Sequence, residues 1–200
     1  MGKLSNHERI KIYNEKHLDV SKRVKVEDYP THWHSFFEIE IILYGAGKCI
    51  INDMEFDITP TSVYLLSTTD FHRVTIDEQT KILNISFDEG MIDEKTLLTI
   101  IHPSTNKNYV LTKEEHQRIV TASELLEHEC KTNGECQKQL LEYILNCVLK
   151  KNKPIYSAQT SSTNYTGIKK AITYMEIHFK ENITLQTLAK EAGYHPAYFS

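Results

Sequence analysis

Hydrophobic and polar positions change their spacing twice along the 200-residue chain. From about Val24 to Phe87, short β-rich runs alternate with turn-forming residues. Short runs at such close spacing predict a sandwich or small barrel. From Lys113 to Lys151, apolar residues recur at intervals of three and four, which predicts helices. A polar stretch follows, and helical periodicity resumes at Tyr165.

The β-rich region contains a series of candidate strands. They are Arg23–Glu27, Phe36–Tyr44, Lys48–Asn52, Glu55–Ile58, Val63–Leu66, Arg73–Ile76 and Lys81–Phe87. The segment Gly45-Ala46-Gly47 predicts a turn, and Asn52-Asp53 predicts a hairpin turn because Asn and Asp tolerate positive φ. This spacing favours directly connected strands over βαβ units.

Two amphipathic helices follow, separated by the breaker Thr132-Asn133-Gly134. Such a pair predicts an antiparallel helical hairpin. Part of the apolar stripe on the second helix can cover the barrel, and the rest suits either internal packing or a second copy of the chain. We therefore expect an arm and barrel at 1–111, a dimerising hairpin at 112–151, a linker at 152–164 and a helical segment at 165–200.

Composition and charge exclude some classes of protein function. Hydrophobic residues make up 40% and charged residues 25%, with a net charge of -4, as in a globular protein. This charge excludes a uniformly basic nucleic-acid coat but allows a local DNA-binding face. The four cysteines form no CxxC pair, which indicates reduced thiols. Without a signal peptide or a membrane-length apolar run, we expect a cytoplasmic protein with no membrane partner.

The most specific short pattern is His32-x-His34-x-x-x-Glu38-x₆-Gly45. Alternate residues of an extended chain share a face, so both histidines and Glu38 point the same way, as does Glu40. A third histidine, His72, lies one hairpin later. These side chains are therefore expected to converge inside the barrel.

Such a cluster has three interpretations. Imidazoles and a carboxylate can bind a divalent transition metal. They can equally hydrogen-bond the hydroxyls of a small polar ligand, with Tyr44 and Tyr64 as candidate wall residues. The third interpretation is a vestigial polar patch without a ligand.

The pattern resembles the first motif of the cupin superfamily, and His72 fits the histidine of the second cupin motif. The resemblance implies a jelly-roll β-barrel. The second motif departs from the family, because Ser67 and Thr69 replace its Pro and Gly and Ile76 replaces its Asn. We therefore expect no metal and no cofactor. A bound divalent transition metal would have the ligands His32, His34, Glu38 and His72.

The C-terminal segment has the pattern of a helix-turn-helix. Ile168–Phe179 predicts a lead-in helix, Thr184 an N-cap, Gly193 a helix end and Pro196 the start of a third helix. The segment from 183 to 200, ITLQTLAKEAGYHPAYFS, closely resembles the first helix-turn-helix of AraC/XylS-type transcription regulators. By this resemblance, the DNA-facing residues are His195, Pro196, Ala197, Tyr198 and Ser200.

The two resemblances together describe the AraC family architecture, an α+β arrangement of cupin-like sensor, helical hairpin, linker and helix-turn-helix. They imply a non-enzymatic, ligand-responsive transcription regulator that senses a small metabolite, such as a sugar, and acts as a homodimer on double-stranded DNA. The implied effector-binding residues are His32, His34, Glu38, Tyr44, Tyr64 and His72. Family members have two helix-turn-helix units, so we expect 165–200 to be a truncated first unit that binds DNA poorly alone.

Two other functions compete with this one. A metal-dependent cupin enzyme, an isomerase or dioxygenase with a helical tail, would use the same histidines and Glu38 as metal ligands. The helix-turn-helix pattern disfavours that function. A purely structural dimerisation module is supported only by the apolar stripe of the hairpin.

Overall fold

The chain folds as two units in the computed structural model, Met1–Lys153 and Pro154–Ser200. The structure describes residues 10–12, 16–102, 105–150, 167, 171, 174, 175, 178 and 181–198. The predicted linker at 152–164 lies outside the described residues.

Two long strands organise the sheet of the first unit. The strands are β1 (Ile10–Ile12), β2 (Leu18–Lys25), β3 (Tyr29–His34), β4 (Phe37–Ile51), β5 (Met54–Ile58), β6 (Ser62–Leu66), β7 (Phe71–Phe87) and β8 (Asn108–Val110). Strands β4 and β7 pair antiparallel along most of their length. The other edge of β7 pairs with β3 and then β2, whereas the other edge of β4 pairs with β6 and then β5. Most candidate strands therefore lie within observed strands, although Arg73–Ile76 and Lys81–Phe87 are parts of the single strand β7. The fold is α+β as predicted.

The predicted turn at Gly45-Ala46-Gly47 is wrong, because β4 runs through it without a break. Register shifts against β7 occur there instead, so the glycines form bulges within a continuous strand. Gly45 has φ +113°, and a Cβ atom at this position would lie 2.3 Å from Oγ1 of Thr80. By contrast, the predicted hairpin turn is confirmed, with positive φ at Asn52 and Asp53 between β4 and β5.

The two faces of the sheet differ in what they bury. One face holds an apolar cluster that includes Ile42, Ile51 and Tyr64. The opposite face carries Ile41, next to Leu83 in the register of β4 and β7. Lys22 of β2 also lies opposite Leu83, and it reaches the helical hairpin on this side. The first face is therefore the interior of the barrel, where the predicted site residues lie.

The described residues of the first unit also form the α-helices α1 (Glu94–Ile101), α2 (Lys113–Thr132) and α3 (Gln137–Leu149) and a 3₁₀ helix at Glu89–Met91. Thr112 and Glu115 form a capping box at the start of α2, and Asn133 ends it with φ 52°, so the predicted breaker is confirmed. Helix α2 packs on β2 and against α3. Among the described residues, no helix combines the length and apolar character needed to cross a membrane.

The second unit contains α4 (Leu185–Ala192), followed by a 3₁₀ turn over Pro196–Tyr198. The side chain of Thr184 accepts a hydrogen bond from the Thr187 amide, and Gly193 ends the helix with φ +74°. The predicted N-cap and helix end are therefore confirmed. Of the predicted lead-in helix, the four described residues 171, 174, 175 and 178 are helical, and the others lie outside the described residues.

Candidate functional site

The predicted histidines and glutamate meet on the inner face of the barrel. Strand β3 carries His32 and His34, and His72 at the start of β7 lies directly opposite His32. On β4, Glu38 and Glu40 occupy alternate positions opposite Ser86 and Asn84 of β7. Three strands thus place five titratable side chains in one region, each no more than 3% exposed.

The three imidazoles contact one another. The ring centroid of His32 lies 4.0 Å from that of His72 and 5.0 Å from that of His34. Nδ1 of His32 donates a hydrogen bond to the carbonyl of Pro30 at 2.9 Å. In the neutral ring this leaves the lone pair on Nε2, as in many metal-binding histidines. One nitrogen from each ring can be chosen so that all three lie within 4.8 Å of one another.

The two carboxylates differ in their partners. Oε1 of Glu38 accepts from the side-chain amide of Asn84, while Oε2 lies 3.4 Å from Nδ1 of His34 without hydrogen-bond geometry. Oε1 of Glu40 accepts from the ammonium of Lys25 at 3.0 Å. Glu38, Glu40 and His72 form a second group whose ligand atoms lie within 4.8 Å of one another.

Several buried polar atoms of this cluster have no hydrogen-bond partner among the described residues. They are His34 Nδ1, Glu38 Oε2, Glu40 Oε2, His72 Nδ1, His72 Nε2 and Asn84 Oδ1. A buried polar atom without a partner costs about 1–3 kcal/mol. A ligand that supplies those partners would recover part of this cost, so the arrangement is typical of a binding site.

Burial and neighbouring charges set the protonation of the cluster. Burial, together with nearby His32, lowers the pKa of His34 to about 3. Burial also lowers the pKa of His72 well below its usual value. Burial and the charge of Glu40 raise the pKa of Glu38 to about 7. Burial opposes ionisation of Glu40, but the charge and hydrogen bond of the Lys25 ammonium, together with His32 and His34, lower the pKa of Glu40. The imidazoles are therefore neutral and Glu40 is ionised near pH 7.

The two predicted wall tyrosines have different positions. Tyr64 lies opposite Glu40 inside the barrel, fully buried, and its hydroxyl donates to the carbonyl of Asp57 at 3.0 Å. Tyr44 is 44% exposed. A register shift between Ile42 and Tyr44 places Tyr44 opposite Lys81, on the outer face. The structure therefore does not bring Tyr44 to the cluster, because a bulge interrupts the alternation of β4.

The predicted DNA-facing residues follow α4. The side chains of His195 and Ala197 are exposed, and that of Pro196 is partly buried. Tyr198 ends the 3₁₀ turn, and Ser200 lies outside the described residues. The structure thus leaves at least two of the predicted DNA contacts accessible to solvent.

Three polar residues of the cluster were not among the predicted effector-binding residues. The alternation of β4 correctly predicts that Glu40 shares the face of Glu38. Lys25 and Asn84 join the cluster because β2 and β4 both pair with β7, which brings these residues close to the two glutamates. Only the register of that sheet brings them to the pocket, so the local sequence carried no signal for them.

The donor set suits two classes of ligand. Neutral imidazoles and carboxylate oxygens are ligands for divalent transition metals, and the unpartnered atoms of His34, His72 and Glu38 fit such an ion. The same atoms offer donors and acceptors to the hydroxyls of a small polar molecule. The geometry described so far is compatible with either ligand.

Comparison with known proteins identifies the fold and the family. Two solved structures of ToxT from Vibrio cholerae align with 92% of this chain, at 12% and 14% identity, with TM-scores of 0.55 and 0.59. The alignments cover 74% and 73% of those chains, and at this identity they support the fold alone. No curated protein sequence matches significantly. The AraC-like ligand binding domain family matches residues 20–142, so the chain belongs to the AraC family and carries its ligand binding domain.

Proposed function

We propose that this chain is a transcription regulator that responds to a small polar ligand in the barrel and binds DNA through its second unit. The observation that carries the proposal is the buried group of unpartnered imidazole, carboxylate and amide atoms in an AraC-like ligand binding domain. A sugar or related metabolite suits this pocket, because its hydroxyls both donate and accept hydrogen bonds.

Double-stranded DNA is the proposed partner of the second unit. Thr184, Gly193 and Pro196 delimit a short helix and a following turn, in the order that a helix-turn-helix requires. The exposed His195 and Ala197 begin the segment that would enter the major groove. Binding to phosphates would make the affinity of the protein for DNA fall with rising salt concentration.

The proposed role is non-enzymatic. The alternative, a metal-dependent cupin enzyme, is favoured by the three histidines and Glu38 of the same pocket. Measuring the metal content before and after chelation, and then testing for turnover, distinguishes the two. Catalytic turnover by the metal-loaded protein would contradict the regulator proposal.

A ligand-binding experiment tests the sensor. The double variant His34→Ala/Glu38→Ala removes two pocket groups, whereas the control His17→Ala removes an exposed histidine that pairs with Asp88 at the surface. The wild type and the control should show the same rise in Tm with a bound sugar and the same change in DNA affinity, and the double variant should show neither. A full response in a folded double variant would place the ligand elsewhere.

We also propose that the hairpin pairs with a second copy of this chain. A groove between α2 and α3 is lined by apolar and charged side chains, with Leu125 55% exposed and Tyr143 45% exposed. The groove contains both Arg118 and Glu114, so two copies related by a two-fold axis can match opposite charges. Light scattering should show a dimer for the wild type and for Met54→Glu, but a monomer for Leu125→Glu. A dimeric Leu125→Glu protein would contradict this interface.

A further inference from the structure

The ion pair between Lys25 and Glu40 is open on one side. Lys25 is the last residue of β2, and its ammonium lies 3.0 Å from Oε1 of Glu40 and 5.5 Å from the centre of the Tyr29 ring. The side chains of Lys25 and Glu40 are 14% and 3% exposed. Oε2 of Glu40 has no hydrogen-bond partner among the described residues. Glu40 therefore has an acceptor available within the pocket.

The carboxylate of Glu40 lies beside the metal-type donors. The three histidines form one candidate group, and Glu38, Glu40 and His72 form another, so His72 belongs to both. The cupin pattern accounts for the first group and Glu38 but does not include Glu40. A second carboxylate would add charge and an oxygen donor to a mixed nitrogen and oxygen site, as divalent transition metals accept.

The charges in the pocket make Lys25 and a divalent cation competitors. While Lys25 is bound to Glu40, its positive charge opposes a second cation nearby. Lys25 also has a short path to water, since residues 26–28 that follow it are exposed. The flexible four-carbon stem of lysine allows the ammonium to leave the pocket while remaining protonated.

We infer that the ammonium of Lys25 holds the place of a divalent transition-metal ion, and that Glu40 becomes a second carboxylate ligand once Lys25 leaves it. The exchange moves one ammonium to water and breaks no covalent bond. The inference rests on the proposed sensor function of this pocket, because it names an ion that the pocket takes and the residue that regulates its entry.

Cobalt(II) binding to the metal-stripped full chain tests the inference. Affinity is measured by calorimetry, and the visible absorption of the bound cobalt reports changes in its ligands. Lys25→Met should bind Co²⁺ about 10- to 100-fold more tightly than the wild type, and Glu40→Gln should bind it more weakly by a similar factor and with an altered spectrum. Lys22→Met, three residues away on the same strand and paired with Glu124 at the surface, is the matched control and should bind like the wild type.

Equal affinities for the wild type, Lys25→Met and Glu40→Gln would overturn the inference, as would failure of both the wild type and Lys25→Met to bind Co²⁺. If Lys25→Met does not fold, Lys25→Arg decides: its retained cation with a bidentate grip on Glu40 should weaken Co²⁺ binding, and unchanged affinity would overturn the inference. A sugar-dependent DNA response without Co²⁺ binding would overturn this inference alone. The expected cobalt affinities in a full-length protein that binds no DNA would overturn the proposed function alone.

Discussion

Two buried lysine–carboxylate pairs in the barrel carry the same charges but differ in the hydrogen bonds that surround them. Nζ of Lys107 lies 2.7 Å from Oδ2 of Asp70, and both side chains are less than 10% exposed. Oδ2 of Asp70 also accepts from the amide and hydroxyl of Ser67, and Oδ1 accepts from Asn52. In the pair of Lys25 and Glu40, one carboxylate oxygen has no such partner among the described residues.

The difference lies in hydrogen bonding and not in burial or charge. The closed network around Asp70 joins the loop before β7 to Lys107 before β8, and so stabilises the fold. The open network around Glu40 leaves its interactions incomplete, and stability alone does not account for it. The complete network is thus assigned a structural role, and we propose that a ligand completes the incomplete one.

Breaking the closed pair should have the largest effect. Asp70→Asn leaves the buried ammonium of Lys107 without a counter-charge, and we expect a loss of about 3–5 kcal/mol in the free energy of unfolding. Urea denaturation measures this loss. The control Asp57→Asn removes an exposed ion pair with Lys48 and should cost less than about 1 kcal/mol. Equal costs for the two variants would contradict the structural role of Asp70.

The cluster around Glu38 and Glu40 should instead make the stability of the protein depend on pH. The pKa of Glu38 is raised to about 7 in the folded protein, so its contribution to stability is complete below the unfolded value near 4.5 and is lost as the pH rises through 7. The whole change is on the order of 3 kcal/mol. In metal-stripped protein, the stability of Glu38→Gln relative to wild type should therefore increase between pH 4.5 and pH 8, as measured by urea denaturation. A constant difference would contradict the raised pKa of the buried Glu38 carboxyl.

The smallest effect on stability is expected at His72. Both of its ring nitrogens lack hydrogen-bond partners among the described residues, so His72→Leu removes no hydrogen bond seen in the structure. Its free energy of unfolding should stay within about 1 kcal/mol of wild type or rise, as measured with urea. Lys107→Met, from the closed network, is the comparison and should be much less stable. A loss at His72 as large as that at Lys107 would contradict the distinction between the networks.

The sequence predicts the parts of this site whose residues are close together along the chain, and it does not predict those that distant strands bring together. The two-residue alternation of His32 with His34 and of Glu38 with Glu40 is local, and it correctly predicts a shared face. Tyr44 fails because the bulge that redirects it depends on pairing with β7. Lys25 and Asn84 reach Glu40 and Glu38 from other strands, which no local pattern specifies.

The fold shows the same limit. The helical hairpin was predictable because its signals are local. The caps Thr112 and Asn133 and the apolar repeat of α2 each involve residues that are close together in the sequence. Helix α1 was missed, since Thr96, Thr99 and Ile100 are β-branched and favour strands when considered locally. The burial of Leu97 and Ile100 shows that packing stabilises this helix.

The pairing of β2 and β3 with β7 also has a consequence for synthesis. Leu18 pairs with Phe87 and His32 with His72, so the first strands leave the ribosome long before their partner exists. Such contacts between distant parts of the chain make folding slow, because a large loop must close before any pairing is gained. The two halves of the histidine cluster therefore meet late, and a newly made chain has no complete pocket until β7 is in place.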